Sequence, residues 1–244
     1  MAKRYSRHVS IYYGGYDPGT ATTQSSVTLQ AEPIEKTVFG EAAETFVAGV
    51  RADEGEWAGL FDDSNSMDAA ASALGGSIGT NTVFTWMCGT ISGTLSTAIG
   101  YSAQIANIDN RPFSENVGLV RQSAGIAVDG TWSRGNGILL ETISGTATGN
   151  TNAHDNGGAT TAGGTVYVHV TTGTYGEDGT GTAILHLDHS TSGTGTWASI
   201  ATMGGINTNQ SILATFSGTV RQFTRIRMIN AGSSITVAAN VARS

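Results

Sequence analysis

Apolar and polar residues alternate with a period of two along most of this chain, the spacing that gives a strand one core face and one wet face. In the first half the alternation predicts strands over 8–13, 26–38, 44–50, 54–62, 81–89, 97–108 and 117–128. In the second half it predicts six more, over 165–171, 182–189, 196–202, 211–216, 219–229 and 234–241, separated by turn residues. Val166, Val168 and Val170 share one face, as do Ile212, Ala214 and Phe216, and Ile235, Val237 and Val241. One segment departs from the pattern. Asp63-Ser64-Asn65-Ser66 offers N-caps, the run to Leu74 is rich in alanine, and Gly75-Gly76 stops it, which predicts a single helix over 64–74. From Gly145 to Gly164 no large apolar residue occurs, so 146–163 is expected to be a linker. The pattern therefore predicts a mainly β chain: an antiparallel β domain with one helix over 1–145, then a second β-sandwich over 164–244.

Composition sharpens this picture. Of 244 residues, 34 are Gly, 34 Thr and 23 Ser, while only 13% are charged, against roughly 25% in average soluble domains. Threonine favours strands and Gly and Ser favour turns, which excludes a helical bundle. Cys88 is the single cysteine, so neither an internal disulfide framework nor a cysteine metal cage can form. Its setting, Thr85-Trp86-Met87-Cys88, predicts a buried thiol. The basic start, Lys3, Arg4 and Arg7, is not followed by the apolar core of a signal peptide. No apolar run approaches the roughly 18 residues of a membrane span, so no membrane partner is expected.

The net charge of -7 is unevenly spread. Residues 17–68 hold eleven acids against two bases, whereas 1–16 hold three bases and no acid. Phosphate binding needs cationic charge, so tight binding of nucleic acid is not expected.

Candidate chemistry is sparse. Gly75-Gly76-Ser77-Ile78-Gly79 fits G-x-S-x-G, but a nucleophile elbow needs a strand before the serine and a helix after it. Here the predicted order is reversed, and a hydrolase using Ser77 is disfavoured. His186, Asp188 and His189, with His169 one strand earlier, resemble a metal cluster without a defining spacing. Leu185 and Leu187 mark the buried face, which predicts His186 and Asp188 on the solvent side and a cross-strand His169/His186 pair. Gly176–Gly181 lacks the acid positions of an EF-hand and predicts a hairpin turn. No phosphate loop or dinucleotide fingerprint occurs. No catalytic, cofactor or metal residue is assigned. A sugar-binding sandwich is the alternative reading, with Trp132 and Trp197 as candidate platforms.

Two stripes carry more information. Over 54–62, Trp57 and Phe61 share a face with Gly55 and Gly59, while Glu54, Glu56 and Asp62 point the other way. Near the C-terminus Arg221, Arg225 and Arg227 recur on one face opposite Ile226 and Met228, and like charges so placed need carboxylates, phosphates or water.

Residues 37–74 resemble the major tail protein of long-tailed bacteriophages. That family tends to carry Thr-x-Phe-Gly-Asp/Glu, then Pro-Gly-Leu/Val, then Gly-x-Phe/Trp-Asp before a helix. The matching positions are Thr37, Phe39, Gly40, Glu41, Gly49, Val50, Gly59, Phe61 and Asp62, with Ala48 where the family usually has Pro. The segments 193–197, 218–228 and 234–243 are similar to the C-terminal half of such proteins. The resemblance implies a barrel-like tube domain whose copies form stacked, hexameric rings, a hollow tube that conducts DNA and surrounds a tape-measure protein. It implies location in the virion after synthesis in a bacterial cytoplasm. It implies Glu54, Glu56 and Asp62 as channel lining, and Lys3, Arg4, Arg7, Arg221, Arg225 and Arg227 as contacts between subunits. No enzymatic activity and no cofactor are expected.

Overall fold

The computed structural model describes residues 9–18, 22–35, 46–60, 82–89, 91–92, 95–96, 98–114, 120–145, 148–175, 181–229 and 233–244. The predicted helix, Ser77, Lys3, Arg4, Arg7, Asp62 and the Thr37–Glu41 motif lie outside them.

Every regular element with assigned bounds is a strand, and every pairing is antiparallel. In chain order these are β1 (Val9–Tyr13), β2 (Thr22–Thr28), β3 (Ala31–Glu35), β4 (Phe46–Arg51), β5 (Glu54–Leu60), β6 (Thr82–Cys88), β7 (Ile91–Ser92), β8 (Leu95–Ser96) and β9 (Ala98–Ser114). They continue with β10 (Val120–Gly145), β11 (Thr148–Asn150), β12 (His154–Asp155), β13 (Gly164–Thr174), β14 (Ala183–Ser190), β15 (Ala198–Ile206), β16 (Gln210–Phe216), β17 (Phe223–Ile229) and β18 (Ser233–Arg243). The predicted strand over 26–38 is two strands, β2 and β3, and β2 already begins at Thr22. Residues 14–18, between the predicted strands over 8–13 and 26–38, form a tight turn in which Tyr13 and Tyr16 exchange backbone hydrogen bonds of 3.0 and 2.7 Å. Gly15 (φ 91°) has its backbone against β16, where a Cβ would lie 2.3 Å from the Gln210 nitrogen.

The largest sheet runs β1-β6-β9-β10-β18-β13-β16, with β5 on the first part of β10 and β2 on β5. A second sheet runs β11-β17-β14-β15, and β12 also pairs with β17. The long β10 explains how the halves meet: residues 121–127 pair with β5, and residues 136–145 pair with β18. Its register with β9 shifts between Asp129 and Ser133, around the positive-φ Gly130. The segment 146–163, expected to be a linker, carries β11 and β12 on β17 and buries Thr151, His154 and Asn156.

Alternation produces two apolar interfaces. Val166, Val168, Val170, Val237, Ala239 and Val241 of the large sheet pack on Leu185, Leu187, Ile226 and Met228 of the second sheet. Each large aliphatic side chain so buried contributes about 1.5–3 kcal/mol. Ile11, Tyr13, Trp57, Phe84, Ile105, Ile126 and Trp132 form the core of the first half. The other face of β13 and β18 turns toward β1 and β6, because the large sheet curls without closing. That seam mixes apolar side chains, Tyr12, Val83, Met87 and Ala238 among them, with polar ones. His169 Nε2 lies 2.8 Å from Thr85 Oγ1, Asn240 donates to Ser102 Oγ at 2.9 Å, and Tyr167 donates to Ser133 Oγ at 2.8 Å.

Candidate channel face and basic strand

β5 follows its sequence pattern. Trp57, Gly55 and Gly59 are buried, Glu54 and Glu56 are exposed, and Trp57 Nε1 donates to Thr22 Oγ1 at 2.9 Å. Small neighbours let the strand lie flat: a Cβ on Gly55 would sit 3.1 Å from the Trp132 ring. Register then assembles a face. Glu54 lies opposite Thr28 on β2 and Ala127 on β10; Glu56 lies opposite Ser26 and Gly125; Ala58 lies opposite Gln24 and Ser123. Among these side chains the only charges are the two carboxylates, and the next pair in the same register is Leu60 with Arg121. A shallow hollow of about 400 Å³ on this face is bounded by Gln24, Glu56, Ala58, Ser123 and Gly125.

Asp53 fastens this face to the core. Its Oδ1 accepts from the Gln30 amide at 3.1 Å and its Oδ2 from the Trp132 amide at 2.8 Å. Trp132 is only 4% exposed, and its Nε1 donates to the Glu54 carbonyl. That burial removes Trp132 as a sugar platform, because the chain bends at Gly130 and lays the indole on Gly55.

The basic strand has an unforeseen partner. Asp188, expected on the solvent side, is 1% exposed. It keeps the predicted face, but Arg225 stands directly opposite it on β17 and Arg227 opposite His186, and both guanidinia cover it. Arg227 binds both oxygens, Nε to Oδ2 at 2.6 Å and Nη2 to Oδ1 at 3.2 Å; Arg225 reaches Oδ2 at 3.4 Å. Arg225 also stacks on Trp197, 4.3 Å from the ring centroid. Arg225 and Arg227 thus find their carboxylate within the chain, at Asp188. The Arg221 amide donates to His189 Nδ1 at 3.2 Å.

The histidines do not gather. His169 faces away from the valines as predicted, but into the seam against Tyr12 and Thr85, not toward His186. Burial lowers its pKa to about 3. His186 Nδ1 lies 3.1 Å from both Ser199 Oγ and Thr202 Oγ1. His154, missed in the sequence, is buried on β12, and desolvation lowers its pKa to about 4 despite the nearby Asp155 carboxylate. Among the described residues no group of three or more His, Cys, Asp or Glu side chains is placed to hold a metal. Cys88, expected to be buried, is half-buried near the end of β6.

These features define an antiparallel β protein with one acid-bearing sheet face and a clamped basic strand. No family model and no curated protein matches the chain. Solved structures of tail components do. The SPP1 tail tube is 14% identical over 55% of this chain and 80% of that one, with a TM-score of 0.43. The tail of an empty GTA particle is 18% identical over 46% and 81%, with a TM-score of 0.34. The SPP1 Dit protein, described as a hub adsorption apparatus of phages infecting Gram-positive hosts, is 10% identical over 94% and 98%, with a TM-score of 0.34.

Proposed function

We propose that this chain is a structural, non-enzymatic subunit of a bacteriophage tail, polymerising as stacked hexameric rings into a hollow tube through which DNA leaves the virion. The observation that carries this reading is the β2/β5 pair. β2 is bonded to β5 on one side, and among the described residues its other edge has no strand partner. Its sequence, Thr22–Thr28, contains no Lys, Glu, Asp or Pro. Edge strands that must stay single are blunted by charge, proline or a bulge; β2 has a register shift between Thr22 and Gln24, but from Gln24 to Thr28 its pairing is regular and its free edge is a template for another chain. Pairing at this edge continues the Glu54/Glu56 face from subunit to subunit, and a closed repeat of such contacts gives a ring. The motif resemblance over 37–62 supports the same reading.

In this tube Glu54, Glu56 and Asp62 line the bore. Their charge keeps phosphate from adhering, an effect confined to about 8 Å of the wall at physiological salt. Arg221, with Lys3, Arg4 and Arg7, contacts the neighbouring subunit or ring; Arg225 and Arg227 contribute less, being engaged by Asp188. A tape-measure protein occupies the bore before ejection. Negative-stain electron microscopy of the concentrated protein tests the proposal: hollow rings or tubes are expected, and monomers at every concentration reached overturn it.

A further inference from the structure

The second sheet carries a groove of about 470 Å³ beside β17, inside the roughly 300–1,000 Å³ range of small-molecule sites. Three segments form it: Asn150–Ala153 beside β17, the Gly193–Trp197 turn after β14, and Phe223 with Arg225 on β17 itself. Trp197 and Phe223 are half-buried and supply flat apolar walls, while Asn150, Asn152 and Thr194 are exposed. Amide and hydroxyl groups both donate and accept, matching the mixed demand of sugar hydroxyls.

Charge decides the ligand class. Arg225 and Arg227 share one carboxylate, Asp188, so one positive charge is left over. Arg227 takes both carboxylate oxygens at short range, leaving Arg225 a single 3.4 Å contact. Arg225 Nε is buried with no hydrogen-bond partner, a costly state for a charged donor. Stacking on Trp197 holds the guanidinium in place, as a preorganised anion site requires. Glu141 and Asp155 on flanking strands direct their oxygens to neutral donors: Glu141 accepts from the Asn152 amide at 2.7 Å, and Asp155 from the Gly157 amide and Gln222. From this geometry we infer that the groove binds an acidic saccharide, its ring against Trp197 and Phe223 and its anionic group on Arg225. The lining holds no carboxylate, and glycoside cleavage ordinarily takes a carboxylate pair, so the groove binds without cleaving.

Calorimetric titration of the full chain with digalacturonate, lactose and inorganic phosphate tests this, with saturation-transfer NMR locating the contact. Digalacturonate is expected to bind at least about tenfold more tightly than lactose, the scale of one charge-assisted contact. Arg225→Gln should erase that preference, and Trp197→Ala should remove saccharide binding. Thr194→Asp changes only an exposed turn position, leaves the Asp188 clamp intact, and should repel digalacturonate even if Arg225→Gln fails to fold. Equal affinity for the two disaccharides, no saturable binding, wild-type binding by Thr194→Asp, or full competition by phosphate alone would each overturn the inference. None of these outcomes bears on tube formation, which microscopy reads separately.

Discussion

Asp188 shows how far a single residue can be read from sequence. Period-two alternation assigns its face correctly, alongside His186, but cannot reveal that two arginines 37 and 39 residues away lie over it. A solvent-facing aspartate therefore becomes a buried one through nonlocal register. The asymmetry of its contacts leads to a prediction. Arg227→Ala leaves the buried carboxylate with one long contact and should cost about 2–4 kcal/mol, below the full buried-pair loss because the arginines are partly exposed. Arg225→Ala should cost less, and urea unfolding of both variants checks the order. Trp132 is the same lesson inverted: composition marks it as a platform, whereas a bulge at Gly130 makes it core. Asp53, silent in the sequence, accepts two backbone amides, Trp132 beside that bulge and Gln30 between β2 and β3. Asp53→Ala orphans both, one of them buried, and should cost about 1–3 kcal/mol by the same measurement.

At the level of elements, the strands of the second half were legible because valines and leucines recur at strict alternate positions. β13, β14 and β16 fall close to their predicted bounds, whereas β17 begins at Phe223 rather than at 219. The 146–163 segment was not legible, since short strands of Thr, Gly, Asn and His carry no apolar period and are held by pairing with β17. That pairing buries His154, and the seam between β13 and β6 buries His169. Both have pKa values lowered from 6.5 in the folded protein, to about 4 and about 3, mainly by desolvation. Above pH 6.5 both are neutral folded and unfolded, so neither affects stability. Below it the unfolded chain takes up protons that the folded one refuses. Stability is then lost as pH falls from 6.5 to about 4 for His154 and to about 3 for His169. The slope approaches about 1.4 kcal/mol per pH unit for each histidine. Burial also lowers His186 and His189, adding in the same direction. Urea unfolding at pH 7 and pH 5 should show His154→Gln and His169→Gln each losing less stability than the wild type on acidification. An unchanged pH dependence would mean the rings are already solvated or protonated in the native state.

Across the whole molecule, the long β10 joins what the sequence suggests are separate halves, bonding to β5 at its start and to β18 at its end. The β2/β5/β10 face is thereby braced from behind by the Trp57–Trp132 core, while over positions 54–58 and their partners its front shows Ser, Thr, Gly, Ala, Gln and two glutamates, with Leu60 and Arg121 the next register pair. A wall over which DNA must slide should offer few cations, since each neutralised phosphate releases counterions and adds to retention at every ring. Exposed glutamates can be reversed with little effect on the subunit itself, so Glu54→Lys with Glu56→Lys should leave its melting temperature nearly unchanged. If the face lines a bore, the double variant still forms tubes, but those tubes hold double-stranded DNA that wild-type tubes release. The logarithm of that affinity should fall with the logarithm of salt at a slope of about -0.9 per phosphate contacted. Sedimentation of labelled DNA with preassembled tubes across a salt series measures both quantities. A double variant that folds but makes no tubes places the two glutamates in a contact between subunits. One whose tubes release DNA as readily as the wild type places them on an outer wall. Either result overturns the channel assignment, and the second does so while leaving the tube itself intact.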